Sequence, residues 1–231
     1  MEPAPQGLFI TGTSTGVGKT WVTAALTRLL RHHGVDAVAL KPFCCGPRDD
    51  AELLRDASGS ALTLDEINSV WFRAPAAPYV AAMVEGRHVD IDLALQSVKT
   101  AQQKHSFVLV EGAGGWRVPI LREFAISDFA KQIGLPIAVV ASNRLGILNH
   151  TRLTLESIAQ CGAPLFGTIL NDAEPPPSDD HEEHLAALTN PSVLEDLLGC
   201  PLLDRIPWNG TPERLAAHLV ERLQTAPPRV H

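Results

Sequence analysis

The sequence predicts an α/β fold, a single doubly wound, mostly parallel sheet flanked by helices. Three observations predict it. Runs such as Phe107–Glu111 and Pro136–Ser142 are apolar without alternation, as strands buried on both faces must be. They alternate with segments of helical period, Ile147 to Gln160 among them. A short apolar run, Leu8-Phe9-Ile10, enters the glycine-rich Gly12-Thr-Ser-Thr-Gly-Val-Gly-Lys-Thr20, and a helix pattern from Trp21 to Leu30 follows.

In chain order, the helix from about Lys19 reaches His33, where Gly34 supplies a C-terminal stop. Val35–Lys41 reads as a second buried strand closed by Pro42, and Phe43–Asp50 as a loop. Ala51–Ala57 is a short helix; residues 58–89 are weakly patterned and broken by Pro75 and Pro78. Asp90 or Asp92 caps a helix reaching about Lys104. After the strand Phe107–Glu111, Gly112-Ala-Gly-Gly115 ends it abruptly. Next come a helix from Ser127 to Ile133, the strand Pro136–Ser142, the helix Ile147–Gln160 stopped by Gly162, and the strand Leu165–Asn171. Glu174–Asp180 reads as a surface loop, with short helices around 181–189 and 192–198, a last strand Leu202–Pro207 and a last helix over 211–224. No linker, charge block or repeat divides the chain, so residues 1–231 read as one domain with 225–231 a flexible tail.

Composition excludes several classes. The 231 residues are 45% hydrophobic and 19% charged, ordinary for a globular protein, and the net charge of −7 argues against a nucleic-acid or anionic-membrane surface. Cys44, Cys45, Cys161 and Cys200 show no C-x-x-C spacing and imply no disulfide framework. With no apolar run long enough to span a bilayer and no signal pattern in the first residues, a cytoplasmic protein is expected.

In a doubly wound sheet, ligands sit beyond the carboxyl ends of the strands. That rule singles out Thr13–Thr20, Lys41–Asp50, Glu111–Trp116 and Asn171–Asp172. The glycine-rich loop and the helix start behind it direct N–H groups at one small volume and favour an anion there. Lys19 adds a point charge for β- and γ-phosphates and Thr20 a hydroxyl for Mg²⁺, although five residues separate Gly12 from Gly18 where the usual phosphate loop has four. Lys41 supplies a second cation. One aspartate, Asp49 or Asp50, with Glu111 and Thr20 makes three hard oxygen ligands.

These features together resemble the dethiobiotin synthetase family of P-loop NTPases. They are Gly-Thr-x-Thr-x-Val-Gly-Lys-Thr with its five-residue spacing, Lys41-Pro42, Glu111-Gly-Ala-Gly-Gly-Trp116, Leu145-Gly-Ile-Leu-Asn-His-Thr151, Asn171-Asp172 and Pro207-Trp208. The resemblance implies a homodimeric ligase of biotin biosynthesis that uses ATP and Mg²⁺ to close a ureido ring on 7,8-diaminononanoate with CO₂, with no nucleic-acid or membrane partner. Through it, Gly16, Val17, Gly18, Lys19, Thr20 and Trp21 are expected to wrap the nucleotide phosphates, with Gly112, Ala113 and Gly114 beside them. Asp50, Glu111 and Thr20 are expected to hold Mg²⁺, Lys41 and Lys19 to be catalytic, and Asn171, Asp172, Pro207, Trp208 and Asn209 to meet the adenine. Substrate is expected at Thr15 and Cys45, and at Gly146, Ile147, Leu148 and Asn149 of the neighbouring subunit. Two positions depart from the family: Ser14 stands where Asp is usual, and Cys45 where Ser or Thr is usual.

Two rival readings remain at this level. One is a related ATP-dependent carboxylate-activating ligase with a changed substrate, which the Cys45 departure would suit. The other is a partitioning-type ATPase switch, disfavoured because no lysine lies between Thr11 and Gly18.

Overall fold

The computed structural model describes residues 5–175, 181–199 and 201–225. Its centre is β1 (Gly7–Gly12), every residue of which is buried. Around it the chain lays down α1 (Lys19–His32), β2 (Ala37–Leu40), β3 (Phe43–Cys45), α2 (Asp49–Ala57), α3 (Leu64–Ile67), β4 (Val70–Phe72), α4 (Pro78–Glu85), α5 (Ile91–Lys104) and β5 (Phe107–Glu111). It continues through β6 (Pro119–Leu121), β7 (Phe124–Ala125), α6 (Ile126–Ile133), β8 (Ile137–Ser142), α7 (Ile147–Gln160), β9 (Leu165–Asn171), α8 (His181–Leu198), β10 (Leu202–Ile206) and α9 (Glu213–Thr225).

Six strands form one parallel sheet in the order β10-β9-β8-β1-β5-β2. The unbroken apolar runs are the cause: β2, β5 and β8 are buried along their whole lengths, which requires cover on both faces. Helix packs on helix over the sheet, α1 against α2 and α9, α5 against α6, α7 against α8. Because β1 pairs with β5 on one side and β8 on the other, the strand order reverses beside it. A crevice opens at such a reversal, beyond the strand ends.

Local chemistry sets the boundaries. Asp90, not Asp92, caps α5, accepting from Leu93 N at 2.8 Å. Asp204 in β10 accepts from Leu215 N at 2.9 Å and so fixes the start of α9.

The structure corrects several expectations. The 43–50 segment is not all loop, because β3 pairs with β4 in a small parallel sheet of its own. Phe43 explains it: the ring is buried and packs edge-on to Phe129 with centroids 4.8 Å apart, a pair worth roughly 1 kcal/mol beyond its area. The 58–89 stretch holds α3, with a Thr63–Glu66 capping box, and α4, with Pro78 in its first turn. Residues 119–125 add a short antiparallel pair, β6 with β7. The second strand is shorter than expected, since Val35 and Asp36 precede β2. The two short helices expected over 181–198 are one, with Pro191 inside it. Most of the expected surface loop, residues 176–180, and residues 226–231 of the expected tail lie outside the described residues, while Thr225 is still helical.

Candidate functional site

Gly18 joins the loop to α1. It is the helix N-cap at φ +86°, and a Cβ there would stand 2.2 Å from Asn171 Nδ2, so only glycine fits. That contact is specific: Asn171 Nδ2 donates to Val17 O at 3.0 Å, keying the end of β9 to the loop. Lys19 is 6% exposed and donates to Ser14 O at 3.1 Å, so its chain folds back along the loop it follows. Burial pushes its pKa down; Glu111 works against that shift, and Lys41 adds to it.

Four elements bring a charge cluster together beside that loop. Lys41, just past β2, donates to Glu111 Oε1 at the end of β5 at 2.9 Å, to Asp50 Oδ2 in the first turn of α2, and to Thr20 Oγ1 at 3.5 Å. Thr20 in turn donates to Glu111 Oε1 at 2.8 Å. Burial disfavours charge on Lys41, but Glu111 and then Asp50 together outweigh it and its pKa is raised. Thus Lys41 stays an ammonium in the interior. Asp49 is exposed and outside the cluster, so the geometry brings in Asp50 of the two.

Thr20, Asp50 and Glu111 thus converge on one cation. Glu111 Oε2 is buried and has no hydrogen-bond partner among the described residues. Two carboxylates and a hydroxyl around a single point are the donor set of a hard divalent ion bound partly by phosphate. Among the described residues no group of three or more His, Cys, Asp or Glu forms a metal site, which is consistent with a set this small.

Sequence reasoning missed the residue that holds Lys41 in place. Asn68, 2% exposed, donates to Lys41 O at 3.3 Å, Pro42 O at 3.2 Å and Val70 O at 3.1 Å. Arg48 Nε donates to Asn68 Oδ1 at 3.0 Å. An asparagine in a weakly patterned stretch gives no local sign of such a role.

One cavity borders the cluster, and two more lie on the far side of the phosphate loop. A cleft of about 410 Å³ runs from Lys41 and Asp50 past Thr15, Cys45, Ala113 and Gly114 to a wall at Pro75–Pro78. Cys45 does face this cleft; burial, then Cys44 and Glu85, push its thiol pKa up to about 11. A slot of about 200 Å³ lies on the other side of the loop, lined by Gly16, Gly18, Trp21, Asn171, Asp172, Ala173, Trp208 and Asn209. Beyond Trp208 a wider cavity of about 600 Å³ includes Pro207, Arg144, His184 and Arg205.

Not every expected residue meets its neighbours. Gly112 is buried, and a Cβ there would stand 2.9 Å from Ile126, so packing accounts for it. Trp116 is 3% exposed and belongs to the core. Gly146, Ile147, Leu148 and Asn149 line none of these cavities within one copy. Gly146, at φ +86°, is the N-cap of α7, so Asn143 before it is not the cap. Asn143 Nδ2 instead donates to Asp172 Oδ1 at 2.7 Å and Ala187 O at 3.0 Å.

Comparison with known proteins agrees with this geometry. The family model described as AAA domain matches residues 6–214. Solved structures share the fold: the septum site-determining protein MinD of Pyrococcus horikoshii superposes with a TM-score of 0.58 at 18% identity, over 94% of this chain and 93% of that one. A ParA family ATPase from Chlorobium tepidum does so at 0.54 and 13%, over 96% of this chain and 100% of that one. Sequence relatives are far nearer. The ATP-dependent dethiobiotin synthetase BioD of Akkermansia muciniphila is 39% identical over 87% of this chain and 92% of its own length. That of Anaeromyxobacter dehalogenans strain 2CP-C is 40% identical over 88% and 90%. Likeness at this level across nearly the whole of both chains, on a fold whose strand ends assemble the expected phosphate loop, shows that the chain belongs to the ATP-dependent dethiobiotin synthetase family.

Proposed function

We propose that the protein closes the ureido ring of dethiobiotin on 7,8-diaminononanoate, using CO₂ and ATP and releasing ADP and phosphate. The observation that carries this reading is the convergence of Lys41, Thr20, Asp50 and Glu111 at one end of the 410 Å³ cleft, with Lys19 near enough to feel their charges. A carbamate formed on one amine would take the γ-phosphoryl group on its oxygen as the bond to ADP breaks. The second amine would then attack the carbamate carbon, expelling phosphate and closing the ring. Neither step needs a nucleophile from the protein; both need reactants held in place and negative charge offset.

The residues suit that division of labour. Lys41 stays charged and lines the cleft, so it can sit against the oxygens of the carbamate and the transferring phosphoryl group. Lys19 follows the loop whose N–H groups take the phosphates. Thr20, Asp50 and Glu111 would hold Mg²⁺, with Glu111 Oε2 buried and without a partner among the described residues; the bound ion would offset phosphate charge. The slot bearing Asn171 and Trp208 would take the adenine, Asn171 offering its amide oxygen once its N–H₂ is committed to Val17 O.

The substrate's far carboxylate would meet the first-turn N–H groups of α7, at Gly146–Asn149, from a second copy of the chain in a homodimer. Leu145 and Leu153 on that segment are 56% and 57% exposed, apolar surface that such a partner would cover. Among the described residues no helix is long and apolar enough to cross a membrane, and the free thiols of Cys44, Cys45 and Cys161 suit the cytoplasm. The test is product analysis with diaminononanoate, bicarbonate, Mg²⁺ and ATP. Dethiobiotin formed one-for-one with ADP supports the reading; ATP hydrolysis without a ring-closed product overturns it.

A further inference from the structure

Trp21 follows directly on Gly-Lys-Thr in the first turn of α1, and the residue is 44% exposed. Trp208, just beyond β10, is 43% exposed. Both line the 200 Å³ slot, although they are far apart in the chain. Two half-exposed indoles at one slot offer flat apolar faces on which another ring can stack.

The two rings are linked through the backbone. Trp21 Nε1 donates to Gly210 O at 3.0 Å. The turn it reaches is tight: Gly210 N donates to Pro207 O at 2.7 Å, and Asn209 sits at φ +58°. The preceding strand is anchored, with Asp172 N donating to Ile206 O at 2.8 Å. Among the described hydrogen bonds, the Trp21 indole supplies the one that holds the 207–210 turn to the rest of the molecule beyond β10.

We infer that Trp21 is a positioning residue for the nucleobase: its N–H fixes the turn carrying Trp208 and Asn209, so that the slot is preformed to take one flat heteroaromatic ring. The inference rests on the ATP reading above and adds a residue to it. The phosphate loop and the base-holding turn become one unit, because Trp21 leads out of the first and is bonded to the second. Preforming a slot lowers the ordering cost of binding, and stacking on an indole rewards any ligand bearing a base.

The test separates base from phosphate. Affinities for ADP and for inorganic tripolyphosphate, each with Mg²⁺, are measured by calorimetry on the full chain. Trp21→Phe keeps a ring but loses the N–H and should weaken ADP about tenfold, the fold-change expected for one lost hydrogen bond. Trp21→Leu loses both and should weaken ADP roughly 30-fold, within the range for one stacked base. Tripolyphosphate should stay within about twofold in either variant, since it has no base to place and the main-chain N–H groups that meet phosphate, that of residue 21 included, are kept. Equal weakening of both ligands would overturn the inference in favour of general support of the loop, and so would unchanged ADP affinity. The parent reading fails differently: wild-type protein that bound tripolyphosphate but not ADP would remove the nucleotide itself.

Discussion

The two halves of the sheet end in opposite chemistries. At the ends of β1, β5 and β2 the interior holds charge: Lys19, Lys41 and Glu111 are each under 10% exposed, and Thr20 and Asp50 join them. At the ends of β8, β9 and β10 it holds neutral amides. Asn190 Nδ2 donates to Asn143 Oδ1 at 3.0 Å and to Arg144 O at 3.1 Å, while Asn143 bonds Asp172 and Asn171 bonds the loop. A buried charge survives only with a partner, so the first half is a set of mutually dependent ions that responds strongly to losing one. Amides fix direction without charge. On the proposed reading, the first half would handle phosphate and the second would hold a base.

The largest break of this contrast should come at its centre. Lys41→Ala should lower turnover by at least ~10²-fold while leaving nucleotide bound, the low end of the loss for one charge-stabilising donor. The melting temperature should fall as well, because Glu111 loses its cation in the interior. Turnover close to wild type would make the charged half structural only.

Glu111→Gln tests the same half with less damage. A neutral amide is a poor ligand for a hard cation, so the Mg²⁺ concentration for half-maximal rate should rise roughly tenfold or more. An unchanged Mg²⁺ dependence removes Glu111 from the ligand set.

On the neutral half, Leu148→Pro deletes one N–H in the first turn of α7, where proline costs the helix least. Diaminononanoate affinity should drop about tenfold with ATP affinity intact, the cost of one hydrogen bond to a charged group. Dilution to the monomer should show the same selectivity. A monomer that bound diaminononanoate as tightly as the dimer would refute the shared site.

Cys45 sits where the cleft leaves the charged cluster and should give the smallest effect. Its thiol is pushed up to about 11 first by burial, so the thiolate is scarce at neutral pH. Alkylation by iodoacetamide should therefore be slow at pH 7 and speed up about tenfold per pH unit toward pH 10. Cys45→Ser should keep diaminononanoate affinity within about threefold or improve it, restoring a hydroxyl donor. Fast, pH-independent alkylation at neutral pH together with a severe loss in the serine variant would give the thiol a role of its own.

The charged half was the more legible one. Gly18, Lys19 and Thr20 carry a spacing that physics ties to phosphate, and Lys41 and Glu111 are ionic residues closing apolar strands, which stand out in any reading. The neutral half was read mainly through family resemblance, since Asn171 and Trp208 have no local signature of their own. Asn143 stands where an asparagine commonly caps the following helix, and the αL geometry of Gly146 gives that place to glycine.

By itself the sequence determined the six strands of the buried sheet, most of the helices between them and the phosphate loop, because apolar period, glycine and capping act over a few residues. Tertiary structure alone decided what crosses the chain: Asp50 over Asp49 at Lys41, Asn68 beneath that lysine, and Trp21 bonded to Gly210. It also made β3 a strand, through the packing of Phe43 on Phe129. Those choices depend on distances between segments far apart along the chain, and no local pattern encodes a distance that only packing sets.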